Sequence, residues 1–237
     1  MYRTRQFASL AIACIAAFAS AVPAAAGGMS TIMTRAAQAS MTPAGALQRL
    51  QDGNARFVAG KLQHRDLRAQ AAAAAAGQYP FASIVSCVDS RTSSELLFDQ
   101  GLGDIFNARI AGNIVDADVL GSLEFTCKAA GSKLIVVVGH TGCGAVKGAI
   151  DKVEMGNLTG LLQQLEPAVA EVAPRFPKRT SQDHELVDAA ALANVKLAMR
   201  QIRERSPVLR EMLDKGQIGL AGALVDLATG RATFIAD

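Results

Sequence analysis

The stretch Ser86-Cys87-Val88-Asp89-Ser90-Arg91 follows an apolar run, Phe81 to Val85, which is typical of a buried strand. In an extended chain, side chains two positions apart lie on the same face. Cys87, Asp89 and Arg91 are therefore expected to project together. The sequence predicts a cluster of thiol, carboxylate and guanidinium at the carboxyl end of this strand.

A second apolar run, Lys133 to Val138, ends in a similar way in Gly139-His140-Thr141-Gly142-Cys143-Gly144. Two apolar strands thus each end in a pair of possible metal ligands. In open sheets of alternating strands and helices, sites lie at the carboxyl ends of the strands. We therefore expect one site, built where two neighbouring strands end.

The rest of the chain predicts the fold class. Strand patterns alternate with helical ones, which indicates an α/β fold with a central, mostly parallel β-sheet flanked by helices. The apolar runs 218–227 and 231–235, separated by Ala228-Thr229-Gly230, predict a C-terminal hairpin at the edge of the sheet. We expect a single domain over residues 42–237, with the metal site at the carboxyl ends of the strands.

Composition excludes some functions. Half of the 237 residues are hydrophobic, and the net charge of +3 falls to +1 without Arg3 and Arg5, so nucleic-acid binding is not expected. Residues 1–26 have a short basic start, an apolar stretch and an A-x-A site, which predicts a signal peptide cleaved near Ala26 and export to a periplasm. The alternative is an N-terminal membrane anchor that is never cleaved. Residues 27–41 are expected to form a flexible arm.

The cluster has the composition of a zinc site. Cys87, Asp89, His140 and Cys143 supply four donors, the number that tetrahedral zinc takes, and thiolates favour zinc over magnesium or calcium. Asp89 can bind the metal, or it can pair with Arg91 and leave a position open for water. Three protein ligands and water form the catalytic pattern, whereas an inert zinc staple is the alternative. A phosphate loop is not expected, because G-x-x-x-x-G-K-[ST] is not met.

These motifs resemble those of the β-class carbonic anhydrases. The resemblance rests on 87–91 and 140–144, and also on 103–106, 109–113 and 53–57. It implies reversible hydration of CO2 to bicarbonate and a proton, by zinc-bound hydroxide oriented by an Asp–Arg dyad. By the matching motifs, one Zn2+ per subunit would be held by the side chains of Cys87, His140 and Cys143. The dyad would be Asp89 and Arg91, with Asp89 as a fourth ligand only in a closed state.

The resemblance also implies substrate contacts and an assembly. Gln78, nine residues before Cys87, marks a Gln-bearing, non-allosteric subclass that is open at neutral pH. Phe106 and Gly144 are further candidates for the CO2 pocket. The family implies a homodimer or homotetramer, with the N-terminal helices of residues 42–76 packed on the partner subunit. We expect no membrane contact after cleavage.

Two other functions fit the same residues. One is hydrolysis of another small heterocumulene, CS2 or COS, at the same zinc. The other is a non-catalytic zinc-binding scaffold, against which Arg91 and Gln78 argue.

Overall fold

The computed structural model describes residues 31–236, which form an α/β fold around a five-stranded sheet of order β2-β1-β3-β4-β5. The strands are β1 (Ala82–Ser86), β2 (Ile105–Arg109), β3 (Leu134–His140), β4 (Gly219–Val225) and β5 (Ala232–Ala236). β1 to β4 are parallel and β5 is antiparallel to β4, so the predicted fold class and the C-terminal edge hairpin are confirmed.

Helices cover both faces of the sheet. They are α1 (Arg35–Ser40), α2 (Pro43–Val58), α3 (Leu67–Ala74), α4 (Ser94–Leu97), α5 (Ala117–Glu124), α6 (Gly144–Ile150), α7 (Gly156–Gln163), α8 (Glu166–Val172), α9 (His184–Arg205) and α10 (Pro207–Asp214). Alternate strand residues face opposite sides. Val137 accordingly packs in one core with Val195 and Ile202 of α9, and Val136 in another with Leu50 of α2. No helix among residues 31–236 combines the length and the apolar character that crossing a bilayer requires.

The register of the central strands brings the predicted site together. Ser86, the last residue of β1, pairs with Arg109 of β2 and with Val138 of β3. The strand ends are therefore level, and β3 continues for two residues to His140. Cys87 and His140 meet because parallel strands of matched register end at the same edge of the sheet.

The predicted flexible arm is partly helical. Thr34 caps α1 by accepting a hydrogen bond from Ala37 N, and Gln38 is buried. The Gln38 amide donates to the carbonyl oxygens of Pro80 at 2.7 Å and Ala130 at 2.9 Å. These contacts join the segment to the sheet's amino edge, so the expectation of a flexible arm is wrong over Arg35–Ser40. The predicted signal peptide, 1–26, lies outside the described residues.

The apolar face of α2 is covered by its own chain, so any packing of residues 42–76 on a partner subunit would have to use other faces. Ala46 and Leu50 are fully buried in the core of the sheet. A Cβ at Gly53 would lie 1.7 Å from Phe98 O, so only glycine permits this approach of α2 to α4. The Asn54 amide donates to Gly230 O at 2.8 Å, which also ties α2 to the terminal hairpin. This face of α2 is not available to a partner subunit.

Candidate metal centre

Three metal-ligating side chains converge at the carboxyl ends of β1 and β3. Cys87 directly follows β1, His140 ends β3, and Cys143 lies after a two-residue turn. One ligand atom from each lies within 4.8 Å of the others, and all three residues are buried. Gly142 adopts a φ of +62° in this turn, a conformation that favours glycine. The predicted ligands are therefore brought together.

The hydrogen bonds of His140 fix the nitrogen that faces the cluster. Nδ1 lies 2.9 Å from Thr141 O and, because a carbonyl only accepts, Nδ1 carries the proton. Nε2 then has a free lone pair, and within residues 31–236 this buried atom has no hydrogen-bond partner. Burial alone would lower the pKa of His140, but the adjacent Cys87, the Thr141 carbonyl and the charge of Asp89 raise it, so the surroundings favour a positive charge at the ring. The ring is prepared to bind a cation through Nε2.

A hydrogen bond between the two thiols shifts their pKa values in opposite directions. The hydrogen bond from Cys143 is the main cause that lowers the pKa of Cys87 to about 4; burial opposes it, and His140 and the backbone at Asp89 and Gly112 support it. The bond to the Cys87 thiolate, together with burial, raises the pKa of Cys143. Thiolates and a neutral imidazole are preferred zinc ligands, so the donor set fits Zn2+.

Asp89 is held by Arg91 through both carboxylate oxygens. Arg91 Nε donates to Oδ1 at 2.9 Å and Nη2 to Oδ2 at 2.7 Å, and the Arg91 backbone N–H donates to Oδ1 at 3.0 Å. The Arg91 bonds hold the pKa of Asp89 well below its usual range, so the carboxylate is ionised. Oδ2 lies 3.9 Å from His140 Nε2. Asp89 is thus beside the cluster but bonded to Arg91.

A second arginine, Arg109, shapes the loop that carries Cys87 and Asp89, a role that the sequence analysis missed. Arg109, the last residue of β2, donates from Nε to Cys87 O at 3.1 Å and from Nη2 to Asp89 O at 2.5 Å. A guanidinium offers several donors in a rigid fork, so it can satisfy two carbonyls at once. Its position opposite Ser86 in the register explains this reach.

Of the other predicted site residues, only Gly144 lies beside the cluster in its own chain. It follows Cys143 as the first residue of α6, with open space where a Cβ would be. Phe106 pairs with Ser83 near the start of β1, and Gln78 is exposed ahead of that strand. Because a strand rises about 3.3 Å per residue, Ala82 at the start of β1 lies roughly 17 Å from Cys87 along the strand, and Gln78 precedes Ala82. Phe106 and Gln78 are therefore not brought to their own chain's cluster.

Comparisons with known proteins agree with one another. A family model described as carbonic anhydrase matches residues 82–232. Carbonic anhydrase 2 of Mycobacterium tuberculosis is 38% identical over 193 residues, covering 81% of this chain and 92% of the relative. The carbonic anhydrase of Mycolicibacterium smegmatis is 36% identical over 191 residues, covering 80% and 91%.

Solved structures give the same likeness. A β-carbonic anhydrase of Sordaria macrospora, one of two described as tetrameric, is 25% identical with a TM-score of 0.63, and the match covers 69% of this chain and 84% of that one. The Coccomyxa β-carbonic anhydrase in complex with acetazolamide is 25% identical with a TM-score of 0.62, and coverage is 68% and 74%.

Proposed function

Because the chain belongs to the β class of the carbonic anhydrase family, we propose that it hydrates CO2 reversibly, giving bicarbonate and a proton, with one zinc ion per subunit. Cys87, His140 and Cys143 would hold the zinc. One observation carries the proposal: two thiol sulfurs and an imidazole nitrogen lie within 4.8 Å of one another while Arg91 binds the neighbouring carboxylate of Asp89 at both oxygens. The chain then supplies three ligands and leaves a position for water, which is the catalytic pattern.

Zinc bound here would act as a Lewis acid that makes water nucleophilic near neutral pH. The chain's own residues do the rest. Asp89 accepts a hydrogen bond from the attacking water and orients it toward CO2. Arg91 keeps this carboxylate ionised and away from the metal position. Arg109 fixes the backbone carbonyls of Cys87 and Asp89. His140 keeps its proton on Nδ1 against Thr141 O, so Nε2 stays available as a ligand.

A second copy of the chain would complete the substrate pocket. Gln78 and Phe106 lie too far along the sheet to reach their own cluster, so we assign them to the site of a partner subunit, where Gln78 would orient the substrate. Two exposed large apolar side chains support such an assembly: Val88, next to Cys87, is 55% exposed, and Leu96 of α4 is 60% exposed. A homodimer or homotetramer of the Gln-bearing kind, open at neutral pH, would cover them.

We also propose that the enzyme acts after export. Residues 1–26 would be removed near Ala26, and the mature chain would work in a periplasm. Expression of the full chain, fractionation and sequencing of the mature amino terminus test this. A cytoplasmic protein that retains residue 1 would refute it.

The function is tested by stopped-flow CO2 hydration with zinc-loaded mature protein at mildly alkaline pH, beside CS2 and COS turnover. Cys143→Ser should abolish hydration. Cys127→Ser is the matched control, since Cys127 is buried outside the cluster and should leave the rate near wild type. Turnover of CS2 or COS without CO2 hydration would make the chain a heterocumulene hydrolase. Zinc binding without any turnover would make it a scaffold.

A further inference from the structure

Helix α9 contacts both halves of the metal centre, although none of its residues is a ligand. Asn194 is buried on α9, and its Nδ2 donates to Gly112 O at 2.6 Å. Six residues earlier, Asp188 accepts a hydrogen bond from Gly142 N at 2.8 Å. Six helical residues rise about 9 Å, so one rigid element spans the two contacts.

The Gly112 contact leads directly to a ligand. Gly112 N donates to the Sγ atom of Cys87 at 3.4 Å. Gly112 has a φ of +68°, and a Cβ there would lie 2.9 Å from Leu165 Cδ1 and 3.2 Å from Ala145 Cβ. This confined turn is held on its other side by Asn194. The side chain of Asn194 therefore fixes the turn whose Gly112 N–H donates to the Cys87 thiolate.

The Gly142 contact serves the other two ligands. Gly142 lies in the turn between His140 and Cys143 at a φ of +62°, and glycine has more backbone freedom than any other residue. The Asp188 carboxylate satisfies the Gly142 N–H and so holds the spacing of these ligands.

The position of α9 is itself set by packing at the end of β3. Gly139, directly before His140, would place a Cβ 2.7 Å from Val195 Cγ2, and Gly222 of β4 would place one 2.6 Å from Val195 Cγ1. Because these two positions lack side chains, α9 can approach the sheet closely. The close contact fixes the position of α9 relative to both turns.

We propose that Asn194 and Asp188 are positioning residues of the metal centre, with Asn194 acting on the Cys87 thiolate through Gly112 and Asp188 acting on His140 and Cys143 through Gly142. An N–H···S bond draws charge from a thiolate and so makes the bound metal a stronger Lewis acid. Partners outside the ligand shell typically change metal affinity or activity by about 10- to 100-fold. The proposal rests on the metal site of the proposed function.

The test measures the metal directly. In Asn194→Leu the zinc affinity, read by competition with a chromophoric chelator, should fall by about 10- to 100-fold. The thiolate-to-metal charge-transfer band of the cobalt-substituted protein should also shift. Ile202→Val is the control, because Ile202 is a buried apolar residue of the same helix. It should move neither readout. If Asn194→Leu also moves neither while it lowers stability, Asn194 is only structural and the proposal fails.

Asp188 gives an independent arm that does not depend on a buried substitution. Asp188→Asn keeps an acceptor oxygen for Gly142 N and should retain the wild-type band and zinc affinity. In Asp188→Ala the zinc affinity should fall and the band should shift. Equal behaviour of these two variants would overturn the role of Asp188. If Asn194→Leu does not fold, Asn194→Ser serves in its place with the same expected losses. If the wild-type zinc protein does not hydrate CO2, the proposed function fails, yet the chelator and cobalt readouts still decide the positioning roles.

Discussion

The contact between Gly139 and Val195 offers a stability test of how the metal centre is held. A Cβ at Gly139 would lie 2.7 Å from Val195 Cγ2, closer than real Cβ contacts allow, whereas its next neighbours, Ala191 O and Leu224 Cδ1, are at 3.5 and 3.6 Å. Gly139→Ala therefore meets one obstacle, and Val195→Ala removes it. The two substitutions should be strongly coupled.

The magnitudes follow from this geometry. Overpacking a tight core costs about 1–3 kcal/mol, so Gly139→Ala should lower the free energy of unfolding by about 2 kcal/mol. Val195→Ala deletes two buried methyl groups, which is about 1.6 kcal/mol of transfer free energy before any cavity cost, or about 2 kcal/mol in all. In the double variant the methyl group of Ala at position 139 fills part of the space left by the Val195 methyl groups. Replacing glycine in the strand also reduces the conformational entropy of the unfolded chain. Its total cost should be about 1 kcal/mol instead of the additive value of about 4 kcal/mol.

The assay is equilibrium unfolding in denaturant, run once in excess chelator and once at fixed excess zinc, because a bound metal adds to apparent stability. Zinc affinity is measured in parallel. It should fall in Gly139→Ala and recover in the double variant, since the displaced residue adjoins His140. A double variant whose loss equals the sum of the single losses within about 0.5 kcal/mol would refute the reasoning.

Three further predictions concern the dyad, a buried carboxylate and the metal. Arg91→Gln should lower kcat/KM for CO2 by a factor that is the same at neutral and alkaline pH, because even the ordinary pKa of an aspartate, about 3.9, lies well below both. Adding Arg91→Gln to Asp89→Asn should cause no further loss, and an equal loss in both backgrounds would contradict the pairing. Burial would raise the pKa of Asp99, but Arg56 and Arg65 lower it overall, so its contribution to stability exists above the unfolded value of about 3.9 and is lost as pH falls through the folded pKa. Unfolding free energies of wild type and Asp99→Asn should therefore differ at neutral pH and converge in acid, whereas a constant gap would exclude this linkage. Chelation should lower the thermal unfolding temperature and zinc, but not magnesium, should restore it; restoration by magnesium would argue against the thiolate site.

The ligands could be predicted from the sequence because each lies within a few residues of a strand end. Cys87 and His140 end apolar runs, and parallel strands place such ends at one edge of the sheet. The register then had only to be level, which the pairing of Ser86 with Val138 provides. The pattern around each strand end is therefore enough to predict the cluster of Cys87, His140 and Cys143, without knowledge of how the helices pack.

The residues that support the ligands could not be predicted in this way. Asn194 acts on Gly112 across 82 positions of the chain, and Asp188 acts on Gly142 across 46. Both lie on a long helix whose apolar spacing predicts burial of its neighbours but says nothing about the partner of a polar side chain. Their roles depend on how closely α9 approaches β3, and that approach depends on glycines in two different strands.

The helix that follows Asp116 ends irregularly for a local reason. Its apolar spacing is typical of a regular helix to about Ala130, but Phe125–Ala129 form a π-helix in which Ala130 N donates to Phe125 O at 3.0 Å. Thr126 Oγ1 donates to Leu123 O at 3.0 Å and accepts from Ser83 Oγ at 2.8 Å. A hydroxyl that bonds the helix's own backbone competes with the helical ladder. Because Ser83 belongs to β1, periodicity could not reveal this.

The acceptor capacity of Asp89 explains why Arg91 both restrains it and leaves it useful. A carboxylate oxygen accepts about two hydrogen bonds. Oδ1 already accepts two, from the backbone N–H and Nε of Arg91, while Oδ2 accepts one, from Nη2. The remaining capacity thus lies on Oδ2, the oxygen that is 3.9 Å from His140 Nε2. A water beside the cluster can use that site without breaking the pair with Arg91. For Asp89 to become a ligand through Oδ1, by contrast, a bond to Arg91 must first be lost.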